Sequence, residues 1–245
     1  QREIGAVYAW IVRAFVQMAF LDYPYAIGDL PVYAVNEACE KVLTPQNSSY
    51  TGRFLDENSI VRTRLHQIQP LVEAANVMYN ATNSNQCNDI SQGGLLPGVS
   101  SIPFTYLACT EFIAYIGSNG VTDMFWDLPF SLNLIEGGCI DTLGFTTPMR
   151  PTWLVDTFGG TDYRKQFKNY SRIIFSNGSL DPTHAYSVTE NVSDSVLAFV
   201  MDGAAHTLDM LSPNPADPES VIKGREFEIL TIRKWLLELE TASQQ

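Results

Sequence analysis

Basic residues are scarce: 15 lysines and arginines stand against 27 acidic residues, giving a formal charge of −12 and a pI near 4.6. They are also scattered, so no stripe exists to track a phosphate backbone, and nucleic acid is not an expected partner. The four cysteines, Cys39, Cys87, Cys109 and Cys139, form no Cys-x-x-Cys pair and have no histidine beside them. That removes a zinc site, and neither a metal nor another cofactor is expected. The most apolar segment, Ile4 to Leu21, barely reaches bilayer length and carries Arg13 near its middle with Gln17 a turn later. A central arginine costs roughly 2.5–3.5 kcal/mol in a membrane, so the segment reads as a buried helix and no membrane span is expected. It is too long for the apolar part of a signal peptide, and no small-residue cleavage site follows. Any targeting segment is expected outside this sequence.

What the chain does hold is enough apolar sequence, 45% over 245 residues, for one large core or two modest ones. Five Asn-x-Ser/Thr triplets occur, at Asn47, Asn80, Asn169, Asn177 and Asn191. With an even cysteine count they point to the secretory pathway, to a lysosomal or extracellular protein with two disulfides. Asn47, Asn80, Asn169 and Asn191 are the glycosylation candidates.

The first half reads as helices. Val61, Leu65, Ile68, Val72, Ala75 and Tyr79 step by three and four, an apolar stripe on a helix kinked at Pro70. Residues 81–103, rich in Asn, Ser, Gly and Pro, read as a loop holding Cys87. Helical patches return at Phe104 to Ile116 and Leu132 to Leu143. After about residue 150 the texture changes. "RIIFSNG" (172–178) and "SVLAFVMDG" (195–203) are short apolar runs ending in Gly-containing turns, as buried parallel strands do. The last element has Asp217 as expected N-cap and Pro218 at the first helical position. Ile222, Ile229, Ile232, Leu236 and Leu239 would then form the face that covers the sheet. The fold class is α/β in the second half and all-α in the first.

In an open α/β sheet, functional side chains gather beyond the carboxyl ends of the strands. Asp181 lies three residues past the first apolar run and His206 three past the second. This is the order and placement of the last two members of a Ser, Asp, His triad. The acid would fix the tautomer of the imidazole, and the imidazole would take the serine proton. His184, in the same loop as Asp181, competes for the role of base; His66, after a core leucine on a helix, reads as a surface or cap residue. No Gly-x-Ser-x-Gly pentapeptide exists anywhere in the chain, so two thirds of a triad is present.

At these residues the sequence resembles the lysosomal serine peptidases that cleave at proline, the Pro-Xaa carboxypeptidase and dipeptidyl peptidase II family. "IIFSNGSLDP" is similar to that family's "FSNG-x-LDPW", and "DGAAHTLDM" to its "GAHHLDL". "LDYPY" (21–25), "ACTEF" (108–112), "NGVTDMFWDLPFS" (119–131) and "RPTWL" (150–154) extend the resemblance over nearly the whole chain, and the run at 119–131 looks most like the dipeptidyl peptidase II branch. The resemblance implies an α/β-hydrolase domain with a helical insertion capping the active site. Residues 1–145 would be most of that cap and 146–245 the C-terminal part of the hydrolase domain. The nucleophile elbow would lie on an N-terminal part absent from this sequence, and the isolated chain would be inactive, with an open sheet edge favouring association such as a homodimer. Asp181 matches the family's triad acid and His206 its base. Asp89, in "QCNDI", aligns with an acid that holds a substrate's free amino terminus. The spacing around "ACTE" implies a Cys109–Cys139 bridge, which leaves Cys39 with Cys87. The implied activity is that of a serine exopeptidase acting on peptides with proline near a terminus. Where the family has Trp-Ser-Gly-Gly-Gly after "LDP", this chain has Thr183 to Ser187, and the second histidine of "GAHH" is Thr207; both changes fall beside the expected site.

Overall fold

The computed structural model describes residues 2–43, 60–90, 101–113, 117–123, 127, 129–144, 146, 148–158 and 162–244. The chain divides into two compact units, one of residues 1–93 with 170–245 and the other of residues 94–169. The boundary expected at 145/146 falls inside the second of these.

In the larger unit, α1 (Arg2–Phe20), α2 (Ala34–Leu43) and α3 (Ile60–Tyr79) pack through small residues. Ala14 and Met18 of α1, Ala34 and Ala38 of α2, and Ala74 and Ala75 of α3 are all buried in one cluster. Small side chains let helix axes approach closely, and Trp10 fills the remaining space by stacking on Tyr79 at 4.9 Å between ring centroids. The expected stripe on α3 is only partly right. Val72, Ala75 and Tyr79 face the core, whereas Ile68 is 42% exposed, and Val61, Leu65 and the side chain of His66 lie outside the described residues. Pro70 sits within the helix. Among the described residues no helix is long and apolar enough to cross a membrane.

The same unit carries two parallel strands, β1 (Ile173–Gly178) and β2 (Val196–Met201), paired in register from Ile173 with Val196 to Gly178 with Met201. Their connection holds a 3-10 turn at Pro182–Tyr186 rather than a full helix. A long helix, α8 (Glu219–Ser243), follows. Two sequence readings need correction here. Asp217 does not cap α8: Pro218 holds the cap position, and the Asp217 carboxylate accepts from Arg225 Nη1 at 2.6 Å and Asn214 N at 2.8 Å. Nor does the expected apolar face cover the sheet. Val221, Gly224 and Trp235 are buried, while Ile222, Ile229, Ile232, Leu236 and Leu239 are 46–55% exposed. Gly224 fixes the choice, because a Cβ there would lie 2.8 Å from Met201 Sδ and 3.0 Å from Phe199 Cε1, so the helix approaches the strand where a side chain is missing.

The smaller unit contains α4 (Ser101–Thr110), α5 (Leu132–Leu143), and the short α6 (Trp153–Phe158) and α7 (Tyr163–Gln166). The first starts three residues earlier than expected. Ser131 caps α5 through Leu134 N, and Gly144 ends it in the left-handed conformation at φ +76°. Cys109 and Cys139 are joined, tying α4 to α5, and Ile135 is buried with them. Cys39 and Cys87 are free thiols, so the second expected bridge is not formed.

Candidate active site

Asp181 stands three residues after β1, and His206 five after β2, at the same end of the parallel pair. Their loops are drawn together by backbone. Ser179 N donates to Met201 O and Leu180 N to Ala204 O, both at 2.9 Å. Gly178 makes this possible: a Cβ on it would fall 2.2 Å from Ala204 O and 2.8 Å from Ala205 O. Only a residue without a side chain lets the end of β1 lie so close to the chain leading into His206.

The result is a direct contact between His206 Nδ1 and Asp181 Oδ2 at 2.8 Å. Asp181 is nearly buried, its side chain 8% exposed, while the imidazole is 39% exposed. The other carboxylate oxygen accepts from both Thr183 N and Thr183 Oγ1, each at 2.8 Å. A desolvated carboxylate needs such partners, and Thr183, at the first position of the unusual loop, supplies two of the three.

His206 is held from the side of α1 as well. Its amide N–H donates to Phe20 O at 3.3 Å, and its carbonyl accepts from the Tyr23 hydroxyl at 2.7 Å. The Phe20 ring meets the imidazole edge-on, 4.9 Å between centroids and 86° between planes. Burial pushes the Tyr23 phenol above its ordinary pKa, so it remains a donor. Thr207 then turns the chain at φ +51° into a 3-10 turn, Leu208–Met210. With Nδ1 directed to the acid, Nε2 is the nitrogen left for proton exchange with a reacting group.

The other candidates are placed elsewhere. His184 lies in the 3-10 turn after Asp181, and its Nδ1 is buried without a hydrogen-bond partner, whereas the carboxylate goes to His206. Asp89 is exposed in the loop after α3, between Asn88, whose Nδ2 donates to Asn76 Oδ1, and Ile90, which packs on the helical cluster. Among the glycosylation candidates, Asn169 and Asn191 are exposed, and Asn191 Oδ1 accepts from Ala198 N. Asn80 is half-buried, its amide nitrogen donating to Asn85 O, and Asn47 lies outside the described residues. Asn177, the fifth triplet, is 7% exposed in β1 with its amide on Val188 O, which leaves no room for a glycan. Among the described residues no cluster suited to a metal occurs. Nothing in the sequence pointed to Phe20 or Gly178, and Thr183 stood out only as the residue where the family has tryptophan; Tyr23 lay within "LDYPY", but nothing in the sequence tied that motif to His206.

A carboxylate 2.8 Å from an imidazole nitrogen, both just beyond the carboxyl ends of adjacent parallel strands, is the arrangement that the acid and base of a hydrolase triad require. The Serine carboxypeptidase S28 family model matches residues 1–228, and the chain belongs to that family, which has the α/β-hydrolase fold. It is similar to the lysosomal Pro-X carboxypeptidase of Mus musculus, 30% identical over 239 residues covering 96% of this chain and 44% of the relative. It is also similar to prolyl carboxy peptidase like protein 5 of Caenorhabditis elegans, 29% identical over 96% of this chain and 46% of that protein. The thymus-specific serine protease of Mus musculus is 29% identical over 58% of this chain and 28% of its own length. The chain thus spans less than half the length of these relatives.

Proposed function

We propose that Asp181 and His206 are the orienting acid and general base of a serine exopeptidase that cleaves peptides at proline or a small residue through an acyl-enzyme. The observation that carries this reading is the 2.8 Å contact between His206 Nδ1 and the nearly buried Asp181 carboxylate. In the reaction, His206 Nε2 takes the proton of the attacking serine hydroxyl, and Asp181 stabilises the imidazolium that results. Nε2–H then protonates the departing amine, and a second round with water as nucleophile releases the acyl group. Because residues 1–245 contain no Gly-x-Ser-x-Gly elbow, we assign the serine to a part of the enzyme outside this sequence. Residues 1–145 would contribute most of the helical cap and 146–245 the closing part of the hydrolase domain.

Two substrate ends are open to such a site. Removal of a C-terminal residue after proline is supported by the relatives named as Pro-X carboxypeptidases. Release of an N-terminal dipeptide is supported by the dipeptidyl peptidase II-like run at 119–131 and by Asp89, whose exposed carboxylate could anchor an ammonium. The lysosomal relatives and the exposed Asn169 and Asn191 support a secretory-pathway location.

The test is a fluorophosphonate probe on full-length protein, with the labelled peptide identified by mass spectrometry and His206→Ala in parallel. A serine labelled in the wild type and not in the variant is the expected result. No label on folded protein would mean a hydrolase fold retired to binding. Activity on C-blocked but not N-blocked proline peptides would identify the dipeptidyl peptidase, and the reverse the carboxypeptidase.

A further inference from the structure

A single residue separates His206 from a buried turn. Thr207 stands at φ +51° and ψ +30°, in the left-handed region, which a β-branched side chain occupies only where its surroundings impose it. The restraint acts from both sides. On the near side, the His206 amide and carbonyl are fixed by Phe20 O and the Tyr23 hydroxyl. On the far side lies the turn Leu208–Met210, with Leu208 and Asp209 buried and Met210 N donating back to Thr207 O at 3.0 Å.

One side chain of α8 grips that turn. Arg225 donates from Nε to Asp209 O and from Nη2 to Leu208 O, both at 2.8 Å. Its Nη1 donates to the Asp217 carboxylate at 2.6 Å. The Arg225 side chain is 14% exposed and that of Asp217 1%, so the ion pair is held out of water. Asp217 balances the charge and aims the planar group, which leaves two donors for the adjacent carbonyls. Leu208 O has a second donor in Leu211 N at 3.3 Å, and the Asp209 side chain is occupied by Ser176 Oγ of β1 at 2.7 Å. A guanidinium keeps its proton at any pH at which a protein stays folded, so the grip does not titrate.

We propose that Arg225 is a positioning residue for His206: by holding the carbonyls of Leu208 and Asp209 it keeps Thr207 in the left-handed conformation, and so keeps the imidazole on Asp181. It acts through the backbone from 207 to 209 and does not touch the reacting atoms. The inference rests on the reading of His206 as general base. Without the grip, Thr207 relaxes toward ordinary backbone angles and turns the peptide that follows His206. The 2.8 Å contact between Nδ1 and Asp181 Oδ2 leaves little slack for such a movement.

The experiment uses full-length enzyme. Arg225→Lys keeps a cation for Asp217, but one ammonium cannot serve both carbonyls as well. On an Ala-Pro reporter its kcat should fall about 10²-fold, the cost of a base misplaced by roughly 1 Å, with KM unchanged, and the proton resonance of His206 Nδ1–H should move upfield and broaden. Asparagine tolerates the left-handed region, so Arg225→Lys should cost several-fold less in a Thr207→Asn background than in the wild type. Arg225→Met paired with Asp217→Asn, which leaves no buried charge unpaired, supplies the same readings if the lysine variant does not fold. A merely structural role would lower the melting temperature while kcat and the resonance of the folded protein stay as in the wild type, and that result overturns the proposal, as does a loss of equal size in both Thr207 backgrounds. Full activity in His206→Ala would instead remove His206 as base, and the Nδ1–H resonance of Arg225→Lys would still decide whether the guanidinium sets the ring.

Discussion

Replacing Gly178 by alanine tests how the site is assembled. The added Cβ would lie 2.2 Å from Ala204 O and 2.8 Å from Ala205 O, and both obstacles are backbone, which cannot rotate aside. The two loops must therefore part by roughly 1 Å to reach ordinary contact. The Leu180 N to Ala204 O bond, 2.9 Å in the native chain, is lost first. His206 follows Ala205 directly, so the same displacement stretches the 2.8 Å contact with Asp181 to a length at which it is no longer a hydrogen bond. Overpacking of this kind costs about 1–3 kcal/mol, and a 1 Å misplacement of a catalytic group costs about 10²-fold in rate. If Asp181 orients His206 as proposed, Asp181→Asn should cost about 10⁴-fold, and Gly178→Ala should fall between that variant and wild type. The assays are kcat/KM on an Ala-Pro reporter with full-length enzyme, urea denaturation, and proton NMR of the His206 Nδ1–H. A Gly178→Ala protein with wild-type kinetics and an unchanged Nδ1–H resonance would refute the claim that this close approach sets the pair.

Tyr23→Phe removes the 2.7 Å bond to His206 O while keeping the ring; it should cost about 1 kcal/mol in stability by urea denaturation, a typical net hydrogen bond. In this chain Val221→Ala should destabilise by about 1–2 kcal/mol, because Val221 is fully buried, whereas Ile222→Ala, next to it but 55% exposed, should change stability by less than about 0.5 kcal/mol. Equal costs for the two would mean that the face of α8 turned to the strands has been misassigned.

The meeting of Asp181 and His206 was legible because their placement depends on topology, which short strand patterns reveal. Two apolar runs ending in glycine turns define a parallel pair, and residues just beyond their carboxyl ends must meet at one edge. The structure adds what such patterns do not carry. Nothing in "LDYPY" indicates that Tyr23 will grip the carbonyl of a histidine 183 positions away. Thr183 looked like the loss of a family aromatic; in place it supplies two hydrogen bonds to Asp181. Long-range hydrogen bonds have no sequence period, and side chains that serve them look like any other polar or aromatic residue.

The C-terminal helix shows why periodicity alone chose the wrong face. Ile222, Ile229, Ile232, Leu236 and Leu239 give a cleaner three-and-four stripe than Val221, Gly224 and Trp235, and a count of apolar positions favours the larger side chains. Packing is decided instead by how closely the backbones can approach. Gly224 sits where Phe199 and Met201 leave no room for a Cβ, so α8 turns its small-residue side to β2. That orientation also carries Arg225 to the carbonyls of Leu208 and Asp209. A rotation that buried the isoleucine stripe would take this guanidinium away from the turn behind His206. The small residue that sets the helix against the strand therefore also sets which charge stands behind His206.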